Sequence, residues 1–151
     1  MVARHMLLTM KASILVVMLP ALLVLVLSAC GGLTEAQQHS IAGVKLVEQE
    51  KWNEAIAEYD EAIRLDPKLA QAYYNRGNAY ANLGQHQRAI QDYDEAIRLD
   101  PKLAPAYGNR AVAYTALRRD QEAESDIATV ETLGFDSAKL KAFIEAAKKQ
   151  R

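Results

Sequence analysis

Small and large apolar residues return along this chain every 34 positions. Three segments, Ala36–Leu69, Ala70–Leu103 and Ala104–Ser137, align Gly43 with Gly77 and Ala111, and Ala55 with Ala89 and Ala123. Ala62, Ala96 and Val130 form a third small column. Large residues align too: Leu46 with Tyr80 and Tyr114, Tyr59 with Tyr93 and Ile127, Leu65 with Leu99 and Leu133. The copy is literal over YDEAIRLDPKLA, found at Tyr59–Ala70 and again at Tyr93–Ala104. A period of this length signals supersecondary units stacked into an array.

Each unit reads as two helices. In the middle unit Tyr73, Gly77 and Tyr80 fall on one helical face, and Gly84 supplies the stop. Ala89, Ile90, Tyr93, Ala96 and Ile97 make the apolar face of the next helix. Asp100-Pro101 ends it, because the residue before proline is pushed out of the helical region. Small residues suit the points where helices cross, since they let backbones approach. Beyond the third unit, Asp136 is expected to cap a seventh helix. Leu140, Phe143, Ile144 and Ala147 would face the last repeat, with lysines toward water.

The alternation closely resembles the tetratricopeptide repeat (TPR), whose period is 34. The stretch AYYNRGNAYANLGQHQRAIQDYDEAIRLDP carries the resemblance most strongly. The first unit departs, with His39 in the column of Tyr73 and Tyr107 and Glu50 in that of Gly84. The third departs with Arg118 at the same turn and Phe135 in place of Pro67 and Pro101. The resemblance implies an all-α fold, a right-handed α-solenoid of three helix-turn-helix units (36–69, 70–103, 104–137) with a capping helix at 138–151.

The first thirty residues differ in kind. Arg4 and Lys11 precede a run, Ala12 to Ala29, that carries no charge, and no acid precedes Cys30. A basic head, an apolar stretch and small residues at its end make a secretory signal, here 1–29. Leu27-Ser28-Ala29-Cys30 resembles a bacterial lipobox, which implies lipidation of Cys30 and a tether over 30–35. Two or three acyl chains, at about 0.8 kcal/mol per buried CH₂, hold a protein in a bilayer where one does not. Gly31 to Thr34 gives roughly 14 Å of reach at about 3.5 Å per residue. Gly31, rather than the retention aspartate of inner-membrane lipoproteins, points to the outer membrane facing the periplasm, or to the outer face of the cytoplasmic membrane in a one-membrane cell. The competing reading is an uncleaved helical anchor on a cytoplasm-facing protein, against which Pro20 stands mid-run.

Charge and residue chemistry narrow the function by exclusion. The net charge of −1 gives nucleic acid no basic footprint. With a single cysteine there is no internal disulfide and no thiolate metal cluster. His39 and His86 lack partners at metal-ligand spacing; His39 is expected to replace a packing tyrosine and His86 to be a surface turn residue. Ser40, Ser125 and Ser137 have no evident base, and the acid pairs Asp60-Glu61 and Asp94-Glu95 read as an exposed helix face. No enzyme, cofactor or metal is expected. Arg76 with Asp92, and Arg110 with Asp126, stand sixteen residues apart and are expected to pair across each hairpin.

Binding remains. TPR arrays commonly capture peptides on a concave face built from first helices. On the middle unit Gln71, Tyr74, Asn75, Asn78 and Asn82 lie opposite the packing face, and Asn109 continues the stripe. Ser40, Val44 and Val47 extend it one way, Val112 and Thr115 the other. Asparagine both donates and accepts, so it suits an extended peptide backbone. The resemblance to TPR co-chaperones would place a cationic clamp for acidic tails where this chain has Ser40, Val44, Asn75, Pro105 and Asn109; only Asn75 fits. The expected function is a membrane-anchored TPR scaffold that binds a protein or peptide segment while an envelope complex assembles. A structural, self-associating array is the alternative.

Overall fold

The computed structural model describes residues 32–150, so the signal segment and Cys30 lie outside it. The described residues hold seven helices and no strand. They are α1 (Glu35–Val47), α2 (Trp52–Leu65), α3 (Ala70–Asn82), α4 (His86–Leu99), α5 (Ala104–Ala116), α6 (Asp120–Thr132) and α7 (Ala138–Lys149). From Glu35 onward they form one compact unit. No helix among the described residues is long and apolar enough to cross a membrane.

Helices pair as hairpins, α1 with α2, α3 with α4, α5 with α6, and each hairpin stacks on the next through α2–α3 and α4–α5 contacts. First helices of successive units also meet directly, α1 with α3, α3 with α5 and α5 with α7. They therefore line the inner side of the array.

The aligned small columns are the buried ones. Ala55, Ala62, Ala89, Ala96 and Ala123 are fully buried, with Val130 nearly so. A Cβ on Gly43 would lie 2.5 Å from the Tyr59 ring, and one on Gly77 2.7 Å from the Tyr93 ring. In the third unit the ring is replaced by Ile127, and the facing residue is Ala111. The bulk of one column sets the smallness of the other. Burial pushes the Tyr59 phenol up to about 12.

Two packing columns escaped the sequence reading. Ala72 and Ala79 are the most deeply buried residues of α3, with Ala106 and Ala113 their counterparts on α5. This face meets the preceding hairpin. In the first unit, which has no predecessor, the same places hold Gln38 and Lys45, both exposed. Tyr73 was expected to pack inward; it is half-buried, with the Arg76 guanidinium 5.6 Å from its ring centroid.

The turns keep one geometry through different residues. α4 stops at Leu99 with Asp100 extended before Pro101, and α3 stops ahead of Gly84 at φ 71°. Glu50 and Arg118 occupy the same left-handed conformation, at φ 58° and 60°, without glycine's freedom.

Both arginine pairings form, and each gains a third member. Arg76 binds Asp92 through Nε and Nη2 at 2.9 and 2.7 Å, and Asp60 of the preceding unit at 2.5 Å. Arg110 repeats this with Asp126 at 2.8 and 2.6 Å and Asp94 at 2.6 Å. Burial holds the Asp92 and Asp126 carboxyls above their ordinary value, against the hydrogen bonds and charge of the arginines. The first unit has Ala42 in the arginine column, and its Glu58 takes His39 Nδ1 at 2.7 Å instead. His39 is thus a polar partner rather than a substitute for packing tyrosine.

α7 begins 34 residues after α5, in register as the first helix of a fourth unit. It caps the array with Ile144 fully buried and Leu140 packed on the same core. Ile144 falls in the column of Arg76 and Arg110, and Ala128 in that of Asp60 and Asp94, so both partners of the ion pair become apolar at the same step. Ser137, not Asp136, is the N-cap residue; the Asp136 carboxylate accepts the Ala138 N–H at 2.9 Å. α7 reaches α6 through longer side chains, Lys141 to Glu131 at 2.5 Å and Lys148 to Glu124 at 3.0 Å. Phe143, expected to cover the third repeat, is 56% exposed.

Candidate functional site: the concave face

The predicted stripe divides into a network and a margin. Asn78 Oδ1 accepts the Tyr93 hydroxyl proton at 2.8 Å and a proton from Asn109 Nδ2, also at 2.8 Å. Asn109 Nδ2 also donates to the Tyr74 hydroxyl at 3.2 Å. Tyr74 leans on Tyr93, their ring centroids 6.1 Å apart at 45°. The amides of units two and three are therefore locked together, and Tyr74 is a half-buried wall rather than a projecting contact. At the margin Gln71 Nε2 donates to Asn75 Oδ1 at 2.9 Å, and Asn82 Nδ2 to the Asn78 carbonyl at 2.8 Å.

This network orients the amides without exhausting them. Asn78 Nδ2 and Asn109 Oδ1 take no part in it, leaving one donor and one acceptor on adjacent rows. Both residues line a cleft of about 440 Å³ with Val47, Trp52, Ala81, Asn82, His86 and Val112. No Lys, Arg, Asp or Glu lines this cleft. Gln71, Tyr74 and Asn75 are outside its lining, while Val47 and Val112 belong to it as expected. Ser40 and Thr115 are buried; the Thr115 hydroxyl donates to the Ala111 carbonyl at 2.9 Å.

Trp52 and His86 were missed as cleft residues. They occupy one column of the 34-residue register, each the first residue of a second helix, but as unlike residues they leave no recurrent signal in the alignment. His86 was read as a surface turn residue; its Nδ1 is instead buried with no hydrogen-bond partner. Tyr93, read purely as packing, closes the floor. A second cleft of about 430 Å³ shares His86 and Val112 with the first and runs on to Phe143 and Ala147 of α7. Cys30, the predicted lipidation site, lies outside the described residues.

The architecture is that of a helical-hairpin repeat protein with a ligand-sized concave face. A TPR repeat profile matches residues 43–84, and one described as tetratricopeptide repeat matches residues 70–103. The chain belongs to the tetratricopeptide repeat family. The first TPR of Spaghetti (RPAP3), solved bound to the HSP90 peptide SRMEEVD, is 27% identical with a TM-score of 0.72, over 77% of this chain and 92% of that one. The TPR2B domain of yeast Sti1, in a complex with pHsp70, is 28% identical at 0.70, over 77% and 98%. The Arabidopsis OM64 TPR domain is 29% identical at 0.70, over 77% and 96%. The Hsp70-Hsp90 organizing protein of Triticum aestivum is 43% identical over 49 residues, 32% of this chain. The chain spans only 8% of that relative's length.

Proposed function

We propose that this protein captures a neutral, extended segment of a partner protein along its concave face, and does so at a membrane surface to which Cys30 tethers it. The observation that carries the first part is the oriented pair of unused amide groups, Asn78 Nδ2 and Asn109 Oδ1, above an uncharged cleft. An extended backbone offers an acceptor and a donor at alternate positions, which is what such a pair can engage. Two relatives were solved with peptides or partners of the chaperone system, and SRMEEVD carries three acidic side chains. The cleft across the three units here presents no ammonium or guanidinium to such a tail. Family membership supports protein capture; the lining favours a different ligand from theirs.

The tether rests on the lipobox-like Leu27–Cys30 and on the start of α1 at Glu35, five residues beyond the cysteine. It would hold the groove within reach of other envelope components, at the outer membrane or the outer face of the cytoplasmic membrane.

A photoreactive residue at exposed Asn82 tests capture in the native cell. One dominant adduct is expected, and Asn78→Asp should abolish it: the aspartate keeps the acceptor for Tyr93 and Asn109 but loses the free donor. An adduct pattern indifferent to that change would sink the groove. Metabolic labelling with palmitate, absent in Cys30→Ala, tests the tether; an intact, unlabelled N-terminus would exclude it.

A further inference from the structure

Of the exposed large apolar side chains, Ile41, Val44 and Phe143 fall on the concave columns, while Leu117 and Phe135 lie off them. Counting by 34, Ile41, Asn75, Asn109 and Phe143 make one column, and Val44, Asn78, Val112 and Ala146 another. Amides occupy three of the four middle places, and Val112 takes the fourth. The outer rows hold Ile41 and Val44, each 40% exposed, and Phe143 at 56%. The clefts repeat this division: Val47 and Trp52 form an apolar wall at the first unit, and Val112, Ala116, Phe143 and Ala147 form another where α5 meets α7.

Apolar groups standing at both ends of a groove whose centre is lined by amides are what a ligand with matching ends would bury. Resting on the capture function proposed above, we infer that the partner segment carries one large apolar side chain at each end and polar or small residues between. One end seats against Trp52 and Val47 and the other against Phe143 of the capping helix, so α7 is part of the binding surface as well as a cap. The middle residues lie over Asn78 and Asn109, where backbone hydrogen bonding does not depend on side-chain identity. Trp52 belongs to the first row and Phe143 to the fourth. Three helix-to-helix steps of about 9 Å separate them, which an extended chain covers in about eight residues at about 3.3 Å each.

The test is selection of a random dodecapeptide library displayed on phage against the full-length chain. Enriched peptides should carry two large apolar residues about eight positions apart, and binding should move the emission of Trp52, the one tryptophan, to the blue. Phe143→Glu, at an exposed position, should weaken these peptides at least tenfold with unchanged helicity. Trp52→His, which copies the residue found one unit later, should do the same at the other end. Peptides with one apolar anchor or none, or binding indifferent to both substitutions, overturn the inference. If such peptides are still lost on Asn78→Asp, the groove stands and only its ends were misjudged. If no peptide is enriched, the capture reading fails with it.

Discussion

Gly43 and Gly77 each face a tyrosine ring that is almost completely buried, and the ring cannot retreat from an added methyl. Glycine inside a helix ordinarily costs about 1 kcal/mol relative to alanine, so Gly43→Ala would stabilise most helices. Here overpacking should win and the change should destabilise by about 2 kcal/mol in denaturant unfolding. Adding Tyr59→Ile, the pairing used by Ala111 and Ile127, should recover part of that loss; strict additivity would show the two columns are not coupled. At Glu50 the sign reverses. A non-glycine residue in the left-handed region costs on the order of 1 kcal/mol. Glu50→Gly should raise the thermal midpoint by roughly 4 °C; a lowered midpoint would mean the side chain has a stabilising contact.

Between elements, the carboxylate–arginine–carboxylate triads tie each hairpin both internally and to its predecessor. Arg76→Leu would leave buried Asp92 without its partner, and loss of about 3 kcal/mol is expected by chemical denaturation. Asp60 is exposed, so its own replacement should matter far less. The capping helix answers to pH. Lys141 and then Ser137 hold the Glu131 carboxyl below its ordinary value. A carboxyl held low binds fewer protons in the folded chain than in the unfolded one, so its stabilisation is present above the ordinary carboxylate range and lost as pH falls through the folded value. Amide exchange in α7 should therefore quicken relative to α3 between about pH 7 and about pH 3; uniform protection across both helices would refute it.

Across the whole molecule, much of what repeats was legible, although the recurring columns Ala72–Ala106 and Ala79–Ala113 were not. The fold followed from columns such as Gly77, Ala89 and Tyr93, because stacking demands the same surface of every unit, and the Arg76–Asp92 pairing followed from its recurrence at Arg110 and Asp126. The cleft was half legible. Asn78, Asn82 and Asn109 stand out as polar groups on a helix face, whereas Trp52 and His86 look like helix-start residues until a neighbouring unit brings them beside the amides. Phe143 misled for the opposite reason: its spacing is that of a core face, but α7 seats on α5 through Leu140 and Ile144 and turns the phenylalanine to solvent. Helical periodicity locates a face, and only the partner decides whether it is covered.

The identical twelve residues at Tyr59–Ala70 and Tyr93–Ala104 span the joint between one hairpin and the next. Recombination between the two copies in the gene would delete or add one 34-residue unit without creating a novel junction. In the longer product an Asp60-type carboxylate would again precede an Arg76-type guanidinium, and the unmatched first and last surfaces would stay at the ends where they are tolerated. Array length could therefore change in one step with the hairpin-to-hairpin joint kept in sequence, and each added unit would lengthen the groove by one row.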